Sequence, residues 1–206
     1  MVNTDAVTHH EIAVKIAQEI KEKGWSAFKM GRYEGNRSLV SEVAALFYAL
    51  SWPSPVVLLP LNAFIHALSA MVLLSILEIC IGSSRKIIWA TLPFVFFPSG
   101  ASWYAQIHRD GYCILGFFLV LYAWLKFWKN NSETLSFLKN LVSILLLFMG
   151  YFLLGNARPY ILQLLRYFLP FLVFFYFAIR LLSLRRKEIS LTQFAASLLV
   201  TSIALF

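Results

Sequence analysis

The run VVLLPLNAFIHALSAMVLLSILEI, residues 56–79, decides what kind of chain this is. As a helix it extends roughly 36 Å, and a bilayer's hydrocarbon core is about 30 Å thick. Its length and its apolar content read as a membrane-spanning helix. Working outward, further apolar runs lie near 87–102, 111–128, 141–156, 160–182 and 191–206. The second and fourth are short or broken. Pro93 and the Pro-Ser-Gly at 98–100 predict that the second run kinks or re-enters, which a membrane tolerates where protein or water satisfies the freed backbone groups.

The composition agrees with an integral membrane protein: 60% of the 206 residues are hydrophobic and 14% are charged, with a mean hydropathy of +0.71. A soluble domain carries about 25% charged residues. The net charge of +8 does not indicate nucleic acid, because the lysines and arginines punctuate apolar runs instead of gathering on one solvated face. Cys80 and Cys113 fall near opposite ends of two different predicted helices, too far apart for a disulfide, and read as small packing residues.

The basic residues also set an orientation. Arg85 and Lys86, then Lys126, Lys129 and Lys139, then Arg180, Arg185, Arg186 and Lys187 fall at every second connection, which marks those connections as cytoplasmic. Residues 98–110, the Asn-Ala-Arg-Pro-Tyr turn at 156–160 and the whole N-terminal region then face the outer side. The N-terminal segment carries six Lys/Arg of its own and follows no apolar run. An upstream membrane helix is therefore expected, the chain reading as a piece of a longer protein. The expected fold class is an all-α polytopic transmembrane bundle of about six segments, one of them broken or re-entrant, preceded by an interfacial amphipathic helix. Two regions follow from this: residues 1–55 as an outer-side loop with amphipathic helices, and residues 56–206 as the transmembrane helical domain. The expected location is a bacterial inner membrane, multi-pass, with residues 1–55 outside.

Within the first region, TDAVTHHEIAVKIAQEIKEKGW (4–25) reads as one amphipathic helix. Thr8 and Glu11 have the spacing of a capping box, Ile12, Ile16 and Ile20 share a face, and Gly24 supplies a stop. A glycine-bearing loop, KMGRYEGNRS (29–38), leads to a short apolar helix that ends before Pro53 and Pro55.

The topology brings Asp5, His9, His10, His108, Arg109, Asp110 and Arg158 to one face of the membrane. Charges at a membrane edge must be solvated or paired, so Arg109 and Asp110 read either as a mutually neutralising pair at a helix start or as part of a site. Asp5 precedes the capped helix and has no evident structural task. Asp5 and His9 are four apart, the spacing at which two side chains could hold a metal ion together. Arg158 and Arg166 lie about 80° apart around a continuous helix and some 12 Å along it. They read as a cradle for a lipid phosphate or as partners of a carboxylate such as Asp110. Trp103 and Tyr104, beside His108, form a candidate platform for a sugar or lipid. Asn62 and His66 share a face of the first long run and suit interhelical hydrogen bonding. Phosphate-binding glycine loops, Cys-x-x-Cys pairs, Gly-x-Ser-x-Gly elbows and His-Glu-x-x-His sequences are absent, so ATP-driven and soluble-hydrolase chemistries find no support.

Taken in order along the chain, these features resemble the GT-C class of polytopic membrane glycosyltransferases. Asp5 with His9, His10 and the helix EIAVKIAQEI is similar to the family's first outer loop, in which an acidic residue precedes an amphipathic helix lying along the membrane. LNAFIHALSAMVLL (61–74) is similar to the Asn-bearing helix that follows it. FPSGASWYAQIHRDGYCILGFFLVLYAWL (97–125) resembles the family's Pro, aromatic, Arg-Asp element, and NARPYILQLL (156–165) its Arg-Pro turn. The resemblance implies transfer of a sugar from a polyprenyl-phosphate or pyrophosphate carrier to a glycan, lipid or protein acceptor on the outer face, with membrane lipids as neighbours and no nucleic acid. It implies Asp5 as general base and Asp110 as the second outer carboxylate, which orients the acceptor or a divalent cation, Mg or Mn. Arg158, assisted by Arg109 or Arg166, then stabilises the leaving phosphate, with His108 and Trp103 lining the substrate site. Two other readings stay open: an O-antigen-polymerase-like enzyme on the same face, and a non-catalytic transporter segment or assembly subunit with Asn62, His66 and Asp110 in a polar seam.

Overall fold

A computed structural model describes residues 4–28, 39–82, 85–96, 107, 109–130, 137–164, 167 and 178. Among these the fold is all-helical, with no strand. The helices are α1 (Thr4–Lys23), α2 (Leu39–Leu50), α3 (Leu59–Ile81), α4 (Arg85–Phe96), α5 (Arg109–Asn130) and α6 (Phe137–Ala157). Short 3-10 turns cover Trp25–Ala27 and Pro55–Leu58. The loop at 29–38, the Pro98 region, the run at 191–206 and most of the run at 160–182 lie outside the described residues.

The amphipathic helix expected at the N-terminus forms, one turn longer than the capping box suggested. It begins at Thr4, so Thr8 lies inside it and Asp5 sits in its first turn instead of ahead of it. Ala6 and Val7 offer nothing to interrupt the helix between Thr4 and Thr8, and a carboxylate in the first turn suits the helix dipole. Ala13, Ile16, Ala17 and Ile20 form its fully buried stripe, and Glu11, Lys15, Gln18, Lys21, Glu22 and Lys23 its exposed side. Gly24 ends it at φ 77°, a backbone conformation that glycine adopts without strain. The stripe packs on α2, which buries Ser41, Ala44, Ala45 and Tyr48. The apolar face expected to lie along a membrane is thus covered by the second helix of the same region.

Pro55–Ile81, the 3-10 turn continued by α3, is the one helical segment among the described residues long and apolar enough to cross a membrane. It ends at Gly82, whose N–H bonds the Glu78 carbonyl at 3.0 Å. Its buried side is Asn62, Ile65, Ser69, Val72 and Ile76, close to a 3.5-residue repeat, and it faces α5 and α4. Phe64 and Met71 are exposed on the far side. Hydroxyls in these apolar helices satisfy themselves locally: Ser69 Oγ donates to the Ile65 carbonyl at 2.8 Å and Thr91 Oγ1 to that of Ile87 at 2.9 Å.

The twelve residues of α4 extend roughly 18 Å and contain Pro93, as the short second run predicted. The 22-residue α5 begins with Arg109 and Asp110 and carries Lys126 and Lys129 near its end. In α6 the apolar stretch is Leu141–Ala157. Cys113 is buried, but Cys80, in the last turn of α3, is exposed rather than packed; both thiols are free.

The tightest helix contact joins α5 and α6, which run antiparallel. A Cβ on Gly116 would lie 2.9 Å from the Gly150 carbonyl oxygen, and one on Gly150 would lie 2.8 Å from that of Gly116 and 2.7 Å from Val120 Cγ2. Each glycine leaves room for the other helix's backbone, the small-residue approach common between membrane helices. Because the obstacle is backbone, it cannot rotate away. Gly150→Ala should therefore cost about 1–3 kcal/mol through forced helix separation. Gly155→Ala, whose Cβ meets nothing closer than 3.6 Å, should leave stability unchanged or slightly raised. Thermal unfolding of the two variants in detergent checks the contrast: a lower Tm for Gly150→Ala alone.

Candidate functional site

The charged edge of the bundle is built where the antiparallel α5 and α6 bring a helix start to a helix end. Asp110 lies in the first turn of α5, where a carboxylate favours the exposed N–H groups. Arg158 interrupts helicity between α6 and the short helical stretch 159–164, because Pro159 disfavours helical conformation in the residue before it. Its own N–H still bonds the Leu154 carbonyl at 2.8 Å, and its carbonyl accepts from the Ile161 N–H at 2.9 Å. The break turns the guanidinium toward Asp110. Nε and a terminal nitrogen of Arg158 donate to Oδ1 of Asp110 at 3.0 and 2.7 Å, with side-chain exposures of 22% and 17%. The Tyr160 ring flanks the guanidinium, 5.8 Å from its carbon.

Near this pair, though lined by neither of its residues, is an open apolar cavity of about 320 Å³, lined by Phe94, Cys113, Ile114, Phe117, Phe118 and Ile161. Cys113 and Ile114 lie one turn beyond Asp110, and Ile161 one turn beyond Arg158. Phe117 is exposed, so the cavity opens at the side of the bundle. Its back wall continues as a ring series: Phe118 against Phe94 at 5.6 Å, and Phe94 against His66 at 5.2 Å. The arrangement places a guanidinium and a carboxylate near an apolar recess. Arginine has five N–H donors, so the two given to Asp110 leave capacity for another acceptor.

Of the site residues expected from sequence, Asp110 and Arg158 are brought together, with Arg109 beside them and half-buried. The Arg158 to carboxylate pairing that sequence left open against a phosphate cradle is the contact formed. Trp103, His108 and Arg166 lie outside the described residues, as does the Asp5 side chain. His9, the proposed companion of Asp5 at a metal, is 3% exposed, and its Nδ1 is hydrogen-bonded to Ser41 Oγ at 2.8 Å. Covered by α2, it serves the α1–α2 interface. Among the described residues no group of three or more His, Cys, Asp or Glu could hold a metal ion. His10 Nδ1 meets Tyr48 Oη at 3.0 Å, and burial pushes the Tyr48 phenol up to about 12, so it keeps its proton. Asn62 is buried, and the His66 ring packs edge-on against α4 through Phe94.

Sequence reading missed the cavity wall. The signal was present, since Cys113, Ile114 and Phe117 follow Asp110 at helical spacing on one face. Phe94 could not be assigned, because only tertiary packing carries it to α5. Comparison with protein-family models, with curated proteins and with solved structures finds no match to this chain.

The Asp110–Arg158 pair can be weighed by a double-mutant cycle. Asp110→Asn and Arg158→Gln should each cost about 1.5–3 kcal/mol of stability, the range for hydrogen bonds to charged groups. The double variant should cost less than the sum, by about 0.5–3 kcal/mol, if the two act as one unit. Strict additivity in detergent-solubilised unfolding would mean that the contact contributes nothing.

Proposed function

We propose that the chain belongs to a multi-pass inner-membrane glycosyltransferase of the GT-C kind, or is a piece of one, moving a sugar from a polyprenyl-phosphate or pyrophosphate carrier to an acceptor on the outer face. The observation that carries this reading is the juxtaposition of Arg158 and Asp110 with the apolar cavity near them. An amphiphile with an anionic head and a long apolar tail matches that pattern, the head taken by guanidinium and the tail by the recess. The exposed large apolar residues on α3, α4 and α6, including Phe64, Met71, Ile88, Trp89, Leu145, Phe148 and Phe152, support several membrane segments beyond Pro55–Ile81.

In this reading the acceptor hydroxyl attacks the anomeric carbon, the carbon–oxygen bond to the carrier phosphate breaks, and negative charge develops on the leaving phosphate. Arg158, with Arg109 or Arg166 assisting, stabilises that charge. Asp5 takes the hydroxyl proton, and Asp110 orients Arg158 and the acceptor. A divalent cation, Mg or Mn, is compatible with this scheme and not required by it, since arginines can neutralise the phosphate. His108 and Trp103 line the sugar side.

A second reading, a non-catalytic transporter segment or assembly subunit, draws on the buried Asn62, the His66–Phe94 contact and the engagement of Arg158 by Asp110. Substitution in the intact gene separates the two. Arg158→Lys keeps the charge but loses the planar fork, and Asp110→Asn keeps the shape but loses the charge. Each should lower transfer from a polyprenyl-linked donor by about 100-fold, the scale of removing one transition-state donor, while the protein still accumulates in the membrane. Unchanged transfer in both variants, measured in isolated membranes, would remove these roles and favour the assembly reading.

A further inference from the structure

The buried stripe of α1 is consumed by α2, and the exposed apolar side chains of this region collect at its other end. Trp25 is 56% exposed, Leu50 75%, Trp52 64% and Val56 61%. They come from three segments at the end of the α1–α2 pair where the two helices finish side by side. Lys21 Nζ donates to the Ser51 carbonyl at 3.3 Å, joining the end of α1 to the end of α2. Trp25 follows the end of α1 across the break at Gly24, and Trp52 follows Ser51 directly. Local turns fix the positions: the Phe28 N–H bonds the Trp25 carbonyl at 3.1 Å, Ser54 N–H that of Trp52 at 2.8 Å, and Val57 N–H that of Ser54 at 3.1 Å.

This corner adjoins the start of the long apolar helix. Trp52 is three residues before Pro55, so their Cα atoms are at most about 11 Å apart. If Pro55–Ile81 crosses the hydrocarbon core, its first turn lies at the boundary and Trp52 falls within the headgroup layer. Tryptophan favours that layer, since its ring is apolar and its indole N–H needs a polar partner. Lys21 and Lys23 are exposed beside it, suited to reach lipid phosphates while their stems lie on apolar surface. Four large apolar side chains this exposed in water would be unfavourable, whereas at a bilayer surface they are at home.

We infer that the corner formed by Trp25, Leu50, Trp52 and Val56 is a membrane-surface anchor that seats in the headgroup layer of a phospholipid bilayer and fixes the α1–α2 unit on it. The inference rests on the reading of Pro55–Ile81 as membrane-spanning. It also assigns membrane contact to the corner, where the resemblance had assigned it to the length of α1.

The test uses the full chain in vesicles of phosphatidylcholine and phosphatidylglycerol carrying bromine either near the headgroup or deep in the acyl chains. The chain holds six tryptophans, so the fluorescence lost between the wild type and Trp25→Phe/Trp52→Phe isolates the two at the corner, and the single variants repeat the measurement should the double variant misfold. Shallow bromines should quench that component at least about twofold more than deep ones, as headgroup placement requires. Aqueous acrylamide should quench it less than it quenches the same component in urea. Quenching by acrylamide with no effect of either bromine position, or stronger quenching by deep bromine, would overturn the anchor. Carbonate extraction of the same vesicles separates the two readings. Release of the chain would overturn the spanning helix and the anchor with it, whereas retention with water-quenched tryptophans would overturn the anchor alone.

Discussion

The close approach of α5 and α6 at Gly116 and Gly150 is the constraint on which the candidate site depends. Asp110 is six residues from Gly116, and Arg158 eight from Gly150, so about 9 and 12 Å of helix separate the contact from the charged edge. Two rigid helices held backbone to backbone at one point cannot diverge far over that length. Side chains of ordinary reach then meet across the gap, and Arg158 finds Asp110 at 2.7 Å. Phe118, about two turns along α5 from Asp110, meets Phe94 of α4 at the cavity wall.

Several hydroxyls inside this bundle are satisfied by short-range means, and large apolar groups are left outside. Serine and threonine hydroxyls on α3 and α4 return to carbonyls one turn back. This distribution suits a surrounding medium that offers no hydrogen bonds, where each unsatisfied group costs several kcal/mol. The α1–α2 unit differs, since it presents a charged outer face and a buried apolar stripe in the manner of a water-facing pair. The change of character coincides with Pro55, where the long apolar helix begins.

Much of the helical layout was legible in the sequence, because it is a local property. The run from Val56 to Ile79, the stop at Gly24 and the short helix before Pro53 follow from composition and backbone preference, and each appears where expected. The reading of 4–25 as one helix holds at its start, Thr4, but the capping pair Thr8 and Glu11 lies inside it, since only context decides between competing starts. What covers the stripe of α1 was not legible either. An amphipathic face specifies that something apolar must cover it, and a bilayer and a neighbouring helix satisfy that requirement equally. The pairing of Asp110 with Arg158 was one of two options in the sequence; the cavity near it required Phe94, whose position is set by packing between elements distant along the chain.

That pairing also limits how the site can work. A guanidinium shielded from water gains most from an anion held in its plane, and Asp110 already supplies one at part of that plane. On the proposed reading, an incoming phosphate would either add to the carboxylate, using the N–H groups that Asp110 leaves, or displace it. Addition brings two anions beside one cation, which is tolerable only with a further positive charge, and Arg109 is the adjacent one in the chain. Displacement would free the Asp110 carboxylate at the moment the anion binds. In both cases Asp110 and Arg158 act as one unit, so neither residue's role can be assigned without the other.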